Sequence, residues 1–182
     1  LYFANPNGVI VGPGGTMRAG SVSVSTPSQG FVDGFFTPDG RVSAGHVGQM
    51  IDGTAPLSRG SIDVQGTIAA TSRVVLRAGG DVTLGPTARV AARRPDGGGG
   101  RIDITAGRDI TLAPGAAVLA TGEGARNGGF VFVFADGSAR LGRDAVVSAA
   151  ALGDGDGGFV EFSAVDLVEV EGILAAHSEG TG

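Results

Sequence analysis

The pairs Gly99-Gly100, Gly128-Gly129 and Gly157-Gly158 recur at one constant interval, and each opens the same phrase of short alternating segments. The phrase is Gly-Gly-x-φ-x-φ, then φ-x-φ after a short polar turn, then an apolar residue between small ones, where φ is apolar. A strand-like unit rebuilt at a period between about 20 and 50 residues cannot bury its apolar face alone and must stack on its neighbours as a solenoid.

Aligning the copies fixes a register. Val74, Leu76, Val82, Leu84 and Val90 correspond to Ile102, Ile104, Ile110, Leu112 and Val118. The next copies run Val131, Val133, Ala139, Leu141 and Val147, then Val160, Phe162, Val168, Val170 and Leu174. Every second residue points inward, as in strands with one buried face. The intervals from Ile110 to Ala139 and from Ala139 to Val168 are equal, and that from Val82 to Ile110 is a single position shorter. Ile62, Val64 and Ile68 form a distinctly tighter copy ahead of Val82. The shortening is local, since Ile68 to Val74 is half the span from Val90 to Ile102. This predicts an all-β chain, a three-sided right-handed parallel β-helix by the right-handed rule for parallel crossovers. Its third corner grows from a tight bend into a protruding loop.

The same alternation turns Arg101, Phe130 and Phe159 outward, with Asp103, Phe132 and Glu161. Phe130, Phe132 and Phe159 form a candidate interaction patch on adjacent coils about 4.8 Å apart. Large apolar side chains gathered on a solvated face mark contact with something: a neighbouring fibre, a host receptor, a glycan, or an extra-helical segment of the same protein. Ile104, Ile110, Leu112, Val118, Val133, Leu141 and Val147 are expected in the core, and Arg101 and Thr105 at neutral surface sites.

Composition narrows the rest. Thirty-five Gly, one Tyr and no Trp describe small side chains around a narrow core, and regular spacing within 42% hydrophobic residues excludes a disordered Gly-rich linker. A charge of −5 with dispersed Arg argues against nucleic acid as the main partner. Absence of Cys removes disulfides and thiolate metal sites. Helix signals are nearly absent, because Gly or Pro interrupts every stretch with helical apolar spacing. The segment 27–57 breaks the repeat. With Phe31, Phe35, Phe36, Asp39-Gly40 and Asp52-Gly53 it reads as a hairpin excursion packed on the solenoid flank.

No catalytic, cofactor or metal site is expected. His46 and His177 lack nucleophile or ligand partners at recognised spacings. Asp81, Asp109 and Asp166 recur at the start of the second strand, where a turn uses Asp to accept backbone hydrogen bonds. Asp63, Asp103 and Glu161 read as isolated solvated residues, whereas a β-helical polysaccharide lyase or hydrolase needs carboxylates converging on one spot. Asp154 and Asp156 offer oxygen ligands in a Gly-rich loop, but the equivalent loops read Pro95-Asp96-Gly97-Gly98 and Gly124-Ala125-Arg126-Asn127 and do not repeat the paired acids, so a flexible loop is the simpler reading.

The first residues carry a resemblance. Leu1 to Gly15, an apolar strand, Asn5-Pro6-Asn7-Gly8, a second apolar strand and a Gly-rich turn, followed by Gly20-Ser21-Val22-Ser23-Val24-Ser25-Thr26, resembles the second half of the haemagglutination-activity domain. That is the secretion domain of filamentous-haemagglutinin-like exoproteins exported by two-partner secretion. Gly60-Ser61-Ile62-Asp63-Val64-Gln65-Gly66-Thr67-Ile68-Ala69-Ala70 looks like the family's repeated coil, and Gly158-Phe159-Val160-Glu161-Phe162-Ser163 like a phrase of its β-helical continuation. The family's N-terminal cap and Asn-Pro-Asn-Leu motif would lie before Leu1, so the chain reads as a mature or excised fragment. The resemblance implies residues 1–60 as the C-terminal half of the secretion domain, with the excursion 27–57, and 61–182 as continuing coils.

It further implies a Gram-negative cell-surface or secreted protein that crosses the periplasm and outer membrane, with the periplasmic domains of its transporter as partner. Activity would be that of an adhesin or fibre-forming haemagglutinin-like protein. Stalks of contact-dependent growth-inhibition toxins, and haem-acquisition or cytolysin exoproteins, share the domain and remain open. The Asn5-Pro6-Asn7-Gly8 motif itself needs no ligand, because Pro presets φ at the second turn position, Asn closes the turn through its side chain and Gly tolerates positive φ.

Overall fold

The computed structural model describes residues 1–180, and strands dominate it. The chain opens with β1 (Tyr2–Ala4), β2 (Gly8–Val11) and β3 (Thr16–Ser25), then turns through two short helices, α1 (Gln29–Asp33) and α2 (Ala44–Asp52). Next come β4 (Ser61–Val64), β5 (Thr67–Ala78), β6 (Val82–Leu84) and β7 (Arg89–Ala92). A repeat follows of β8 (Arg101–Ala106), β9 (Ile110–Leu112), β10 (Ala117–Leu119) and the short β11 (Gly122–Glu123). It recurs as β12 (Phe130–Ala135), β13 (Ser138–Leu141), β14 (Val146–Ser148) and β15 (Ala151–Leu152), and again as β16 (Phe159–Ala164), β17 (Leu167–Val170) and β18 (Ile173–Ala175).

All the strand pairs are parallel, and their register is the one the sequence alignment gives. Val74 pairs with Ile102, Ile102 with Val131 and Val131 with Val160. On the second strands Ile62, Val82, Ile110, Ala139 and Val168 stand in one line, and on the third Val90, Val118, Val147 and Leu174 in another. Each strand therefore bonds to its counterpart in the next repeat. β3 and β5 run unbroken through positions that β8 and β7 fill separately, because β5 pairs β7 through Thr67–Ala70 and β8 through Arg73–Ala78. That unbroken corner is why the early spacing is short. Later repeats divide it with a loop and a Gly-Gly pair.

The parallel sheets wrap almost closed around one apolar core. Ile104, Ile110, Leu112, Val118, Val133 and Val147 are fully buried, and Leu141 is 1% exposed. Val168, Val170 and Leu174 keep the inward register yet are 42%, 45% and 41% exposed, since no strand among the described residues pairs beyond β17 or β18.

The Gly-Gly phrase has a steric cause. A Cβ on Gly129 would stand 2.0 Å from the Gly100 carbonyl oxygen, and one on Gly128 1.7 Å from the Ala149 oxygen. Adjacent repeats approach so closely at this corner that a side chain has no room.

Segment 27–57 corrects two expectations, the hairpin and the near absence of helix. Ser28 Oγ accepts a hydrogen bond from the Phe31 N–H (3.3 Å) and Ser43 Oγ from the His46 N–H (3.4 Å), so each serine caps a helix start. Gly53, at φ 70°, ends α2 in the left-handed cap conformation rather than turning a hairpin. Val47, Met50 and Ile51 supply the helical spacing, but Gly45 and Gly48 hide it from a pattern search. Hairpin character survives only around Asp39-Gly40, where Phe36 bridges Val42, and at the base, where Pro27 bridges Leu57. Phe31, Met50 and Ala55 form a small core of their own. It docks on the outward side of β3 and β5, with Ser25 Oγ 3.8 Å from Met50 Sδ and Arg77 Nη1 donating to the Ala55 carbonyl (3.3 Å). Burial there lowers the pKa of Arg77. A Cβ on Gly48 would touch nothing, so Gly48→Ala is expected to raise stability by up to about 1 kcal/mol through helix propensity, read as a higher unfolding midpoint.

Candidate functional site

The outer faces of β8, β12 and β16 form one continuous surface, because in-register parallel pairing sets Phe130 between Arg101 and Phe159, and Phe132 between Asp103 and Glu161. Along β12 every second residue is inward and fully buried, namely Val131, Val133 and Ala135. Phe130, Phe132 and Phe134 are thrown outward and stay half-buried. Phe159 is 49% exposed. Phe134 belongs to the same row by the alternation that marks Phe132, a signal the sequence carries and the expected patch of Phe130, Phe132 and Phe159 leaves out.

The rings are ordered. Phe130 and Phe159 stack with centroids 4.8 Å apart at 16°, and the guanidinium carbon of Arg101 lies 4.3 Å from the Phe130 centroid on the ladder. Phe132 and Phe134 lie 6.3 Å apart. The stack of a cation on two rings contributes about 0.5 to 1.5 kcal/mol per contact, so these residues hold the sheet as well as facing solvent.

Asp103 is not the isolated solvated carboxylate that alternation alone implies. It is 7% exposed, gripped by Arg73 Nε at 2.8 Å and by Arg101 Nε and Nη2 at 2.9 and 2.7 Å. Hydrogen bonding to Asp103 raises the pKa of Arg101 above its ordinary value, so Arg101 stays charged over the ring. Nor is Arg101 a neutral surface position, since removing it would leave Asp103 to Arg73 alone.

Of the recurring aspartates, Asp81 and Asp109 act between repeats, not within their own turns, while the Asp166 carboxylate makes no such bond among the described residues. Asp81 Oδ1 accepts from the Asp109 N–H (3.2 Å) and Asp109 Oδ1 from the Ser138 N–H (2.7 Å). Each carboxylate thereby fastens the next repeat. In the loop, Asn127 Oδ1 accepts from the Asp156 N–H at 3.0 Å, so that acidic loop too is laddered to its neighbour. Glu161 accepts from Ser163 Oγ at 2.9 Å and has no ion pair among the described residues. No cluster of three or more potential metal ligands occurs among the described residues. His46 Nδ1 lies 2.8 Å from Ser43 Oγ and its ring packs on Phe31, while His177 faces Glu179 at 3.8 Å.

The Asn5-Pro6-Asn7-Gly8 turn forms between β1 and β2. Asn5 Oδ1 accepts from the Asn7 N–H at 2.9 Å, and the Asn5 carbonyl accepts from the Gly8 N–H at 3.2 Å. Gly8 has φ 121°, and a Cβ on it would meet the Ser61 carbonyl oxygen at 2.8 Å. Ser58 Oγ donates to the Pro6 carbonyl, joining the turn to the base of the excursion. Asn5 and Asn7 remain exposed.

No protein-family model, curated protein or solved structure matches this chain.

Proposed function

We propose that this chain is part of a secreted cell-surface exoprotein, exported by an outer-membrane transporter of the two-partner type and acting as an adhesin or fibre-forming haemagglutinin-like protein. The chain winds as a right-handed, three-sided parallel β-helix. Residues 1–60 are the C-terminal half of its secretion domain and 61–182 are continuing coils. The observation that carries the reading is the Asn5–Gly8 turn set between two strands that lead directly into an in-register parallel stack. A secretion domain of this family has that order of parts.

Stepwise stacking suits export. Each repeat takes backbone partners and part of its core from the repeat before it, so a chain emerging from one end can gain structure as it appears. The outward Phe row is the contact surface, and no enzymatic role is assigned to the chain. Expression of the full reading frame with and without a two-partner outer-membrane transporter tests this. The reading requires accumulation in the medium or on the cell surface with the transporter and retention in the periplasm without it. Transporter-independent release, or a polysaccharide cleaved into unsaturated or reducing-end products, would overturn it.

A further inference from the structure

We infer that the groove beside β8 and β12, at the corner of the Gly-Gly pairs, binds an acidic polysaccharide through the carboxylates of its sugars. The groove has a volume of about 340 Å³ and is lined by Ser72, Arg94, Arg101 and Phe130 over the backbone of two Gly-Gly pairs. Arg101 and Phe130 stand on inner strands, flanked by Arg73 and Phe159. Arginine outnumbers acid around them. Arg73 and Arg101 share the one carboxylate of Asp103. Arg94 and Arg126 likewise share Asp96, whose carboxyl is held below the usual carboxylate range by the Gly98 N–H first and then by those two cations. Arg94 approaches Asp96 only to 3.9 Å. Arg93 is neutralised by Glu123, and on the next loop Asp156 is engaged by Asn127 while Asp154 lies against Gly180. Four arginines against two carboxylates leave a surplus of two positive charges, in a chain of net charge −5.

The donors fix the kind of ligand. Every one of the chain's 13 Lys and Arg positions is Arg, and a guanidinium offers a planar fork that matches the two oxygens of a carboxylate. Arg101 uses Nε and Nη2 on Asp103, which leaves Nη1 without a partner among the described residues. Ser72 is exposed and adds a hydroxyl. A peptide strand is a poorer fit, because the N–H groups of Gly99, Gly100, Gly128 and Gly129 already donate to the carbonyls of Asn127, Ala92, Asp156 and Ala120. Strand addition would find no donor on the groove floor. Phe130 has Arg101 on one face and Phe159 on the other, so its ring edge is what it offers to the carbon skeleton of a sugar. The groove is open to solvent, and binding there is accordingly weak and sensitive to salt.

Short oligogalacturonates titrated into the purified chain at low ionic strength are expected to bind saturably and to weaken as salt rises, while neutral malto-oligosaccharides of the same length are not bound. Arg94→Gln is expected to weaken binding about tenfold or more, the scale of a hydrogen bond to a charged group. Arg94→Lys restores part of the loss, since it keeps the charge and lacks the fork. Arg94 is half exposed, so the fold survives its replacement. Ser72→Trp, at an exposed position, fills the groove and is expected to abolish binding at an unchanged unfolding midpoint. Arg143→Gln, on an exposed turn at another corner, is the control and leaves binding as it was. No saturable binding, equal binding of the neutral sugars, indifference to both Arg94→Gln and Ser72→Trp, or an equal loss at Arg143→Gln would overturn the site. Equal affinity for single-stranded DNA or polyphosphate would overturn it too, since the groove would then select charge and not sugar. Transporter dependence is read by the export assay alone, so failure of the groove leaves that reading standing.

Discussion

Gly129→Ala is expected to destabilise the chain by about 3 kcal/mol or more, at the upper end of overpacking costs, because the obstacle is backbone rather than a movable side chain. The new methyl would lie 2.0 Å from the Gly100 oxygen and 2.9 Å from the Ala120 oxygen. Those two carbonyls accept hydrogen bonds from the Phe130 and Gly129 N–H groups. Relief of the clash must therefore pull adjacent repeats apart and leave buried backbone groups unpaired. Gly12→Ala is the control, since a Cβ there meets nothing within 4 Å. Chemical unfolding of both variants checks the difference, and equal midpoints would contradict the close approach.

Ile104→Ala is expected to cost about 2 to 5 kcal/mol, the range for truncating a fully buried aliphatic side chain. Ile104 is fully buried and stands in line with Leu76 and Val133. A void there is walled by residues of the flanking repeats, which are pinned by their own backbone ladders and collapse poorly. Thr105→Ala, next in sequence but outward, is expected to cost under about 0.5 kcal/mol, as surface changes do. Equal losses at the two sites in denaturant titrations would mean that the inward and outward sets have been exchanged.

The periodic parts were legible in the sequence for a physical reason. Inward positions recur at period two along a strand and again once per repeat along the chain, so Ile102, Val131 and Val160 are marked twice over. The Gly-Gly pairs were visible as a repeat before their steric cause, backbone against backbone across repeats, could be known. The helices of segment 27–57 were not legible, because caps at Ser28 and Ser43 and tertiary cover over β3 and β5 stabilise them where Gly-rich local sequence does not. The site was half legible. Alternation places Phe130, Phe132 and Phe159 outward, but the two-arginine grip on Asp103 joins Arg73 and Asp103, which lie in successive repeats. The aspartate ladder likewise needs the neighbouring repeat in view, since a single repeat shows only an Asp beside a turn.

In-register parallel stacking underlies both the fold and the export reading, and paired thiols in this Cys-free chain test it most directly. Thr111 is the register partner of both Thr83 and Arg140. Neighbouring parallel strands lie about 4.8 Å apart, within disulfide reach, while strands two repeats apart lie beyond the limit of about 7 Å. Oxidation of Thr83→Cys/Thr111→Cys and of Thr111→Cys/Arg140→Cys is predicted to give intramolecular disulfides, detected by mass spectrometry of the monomer, while Thr83→Cys/Arg140→Cys stays reduced. Bridging of Thr83 to Arg140, or failure of both neighbouring pairs in folded protein, would contradict the stack.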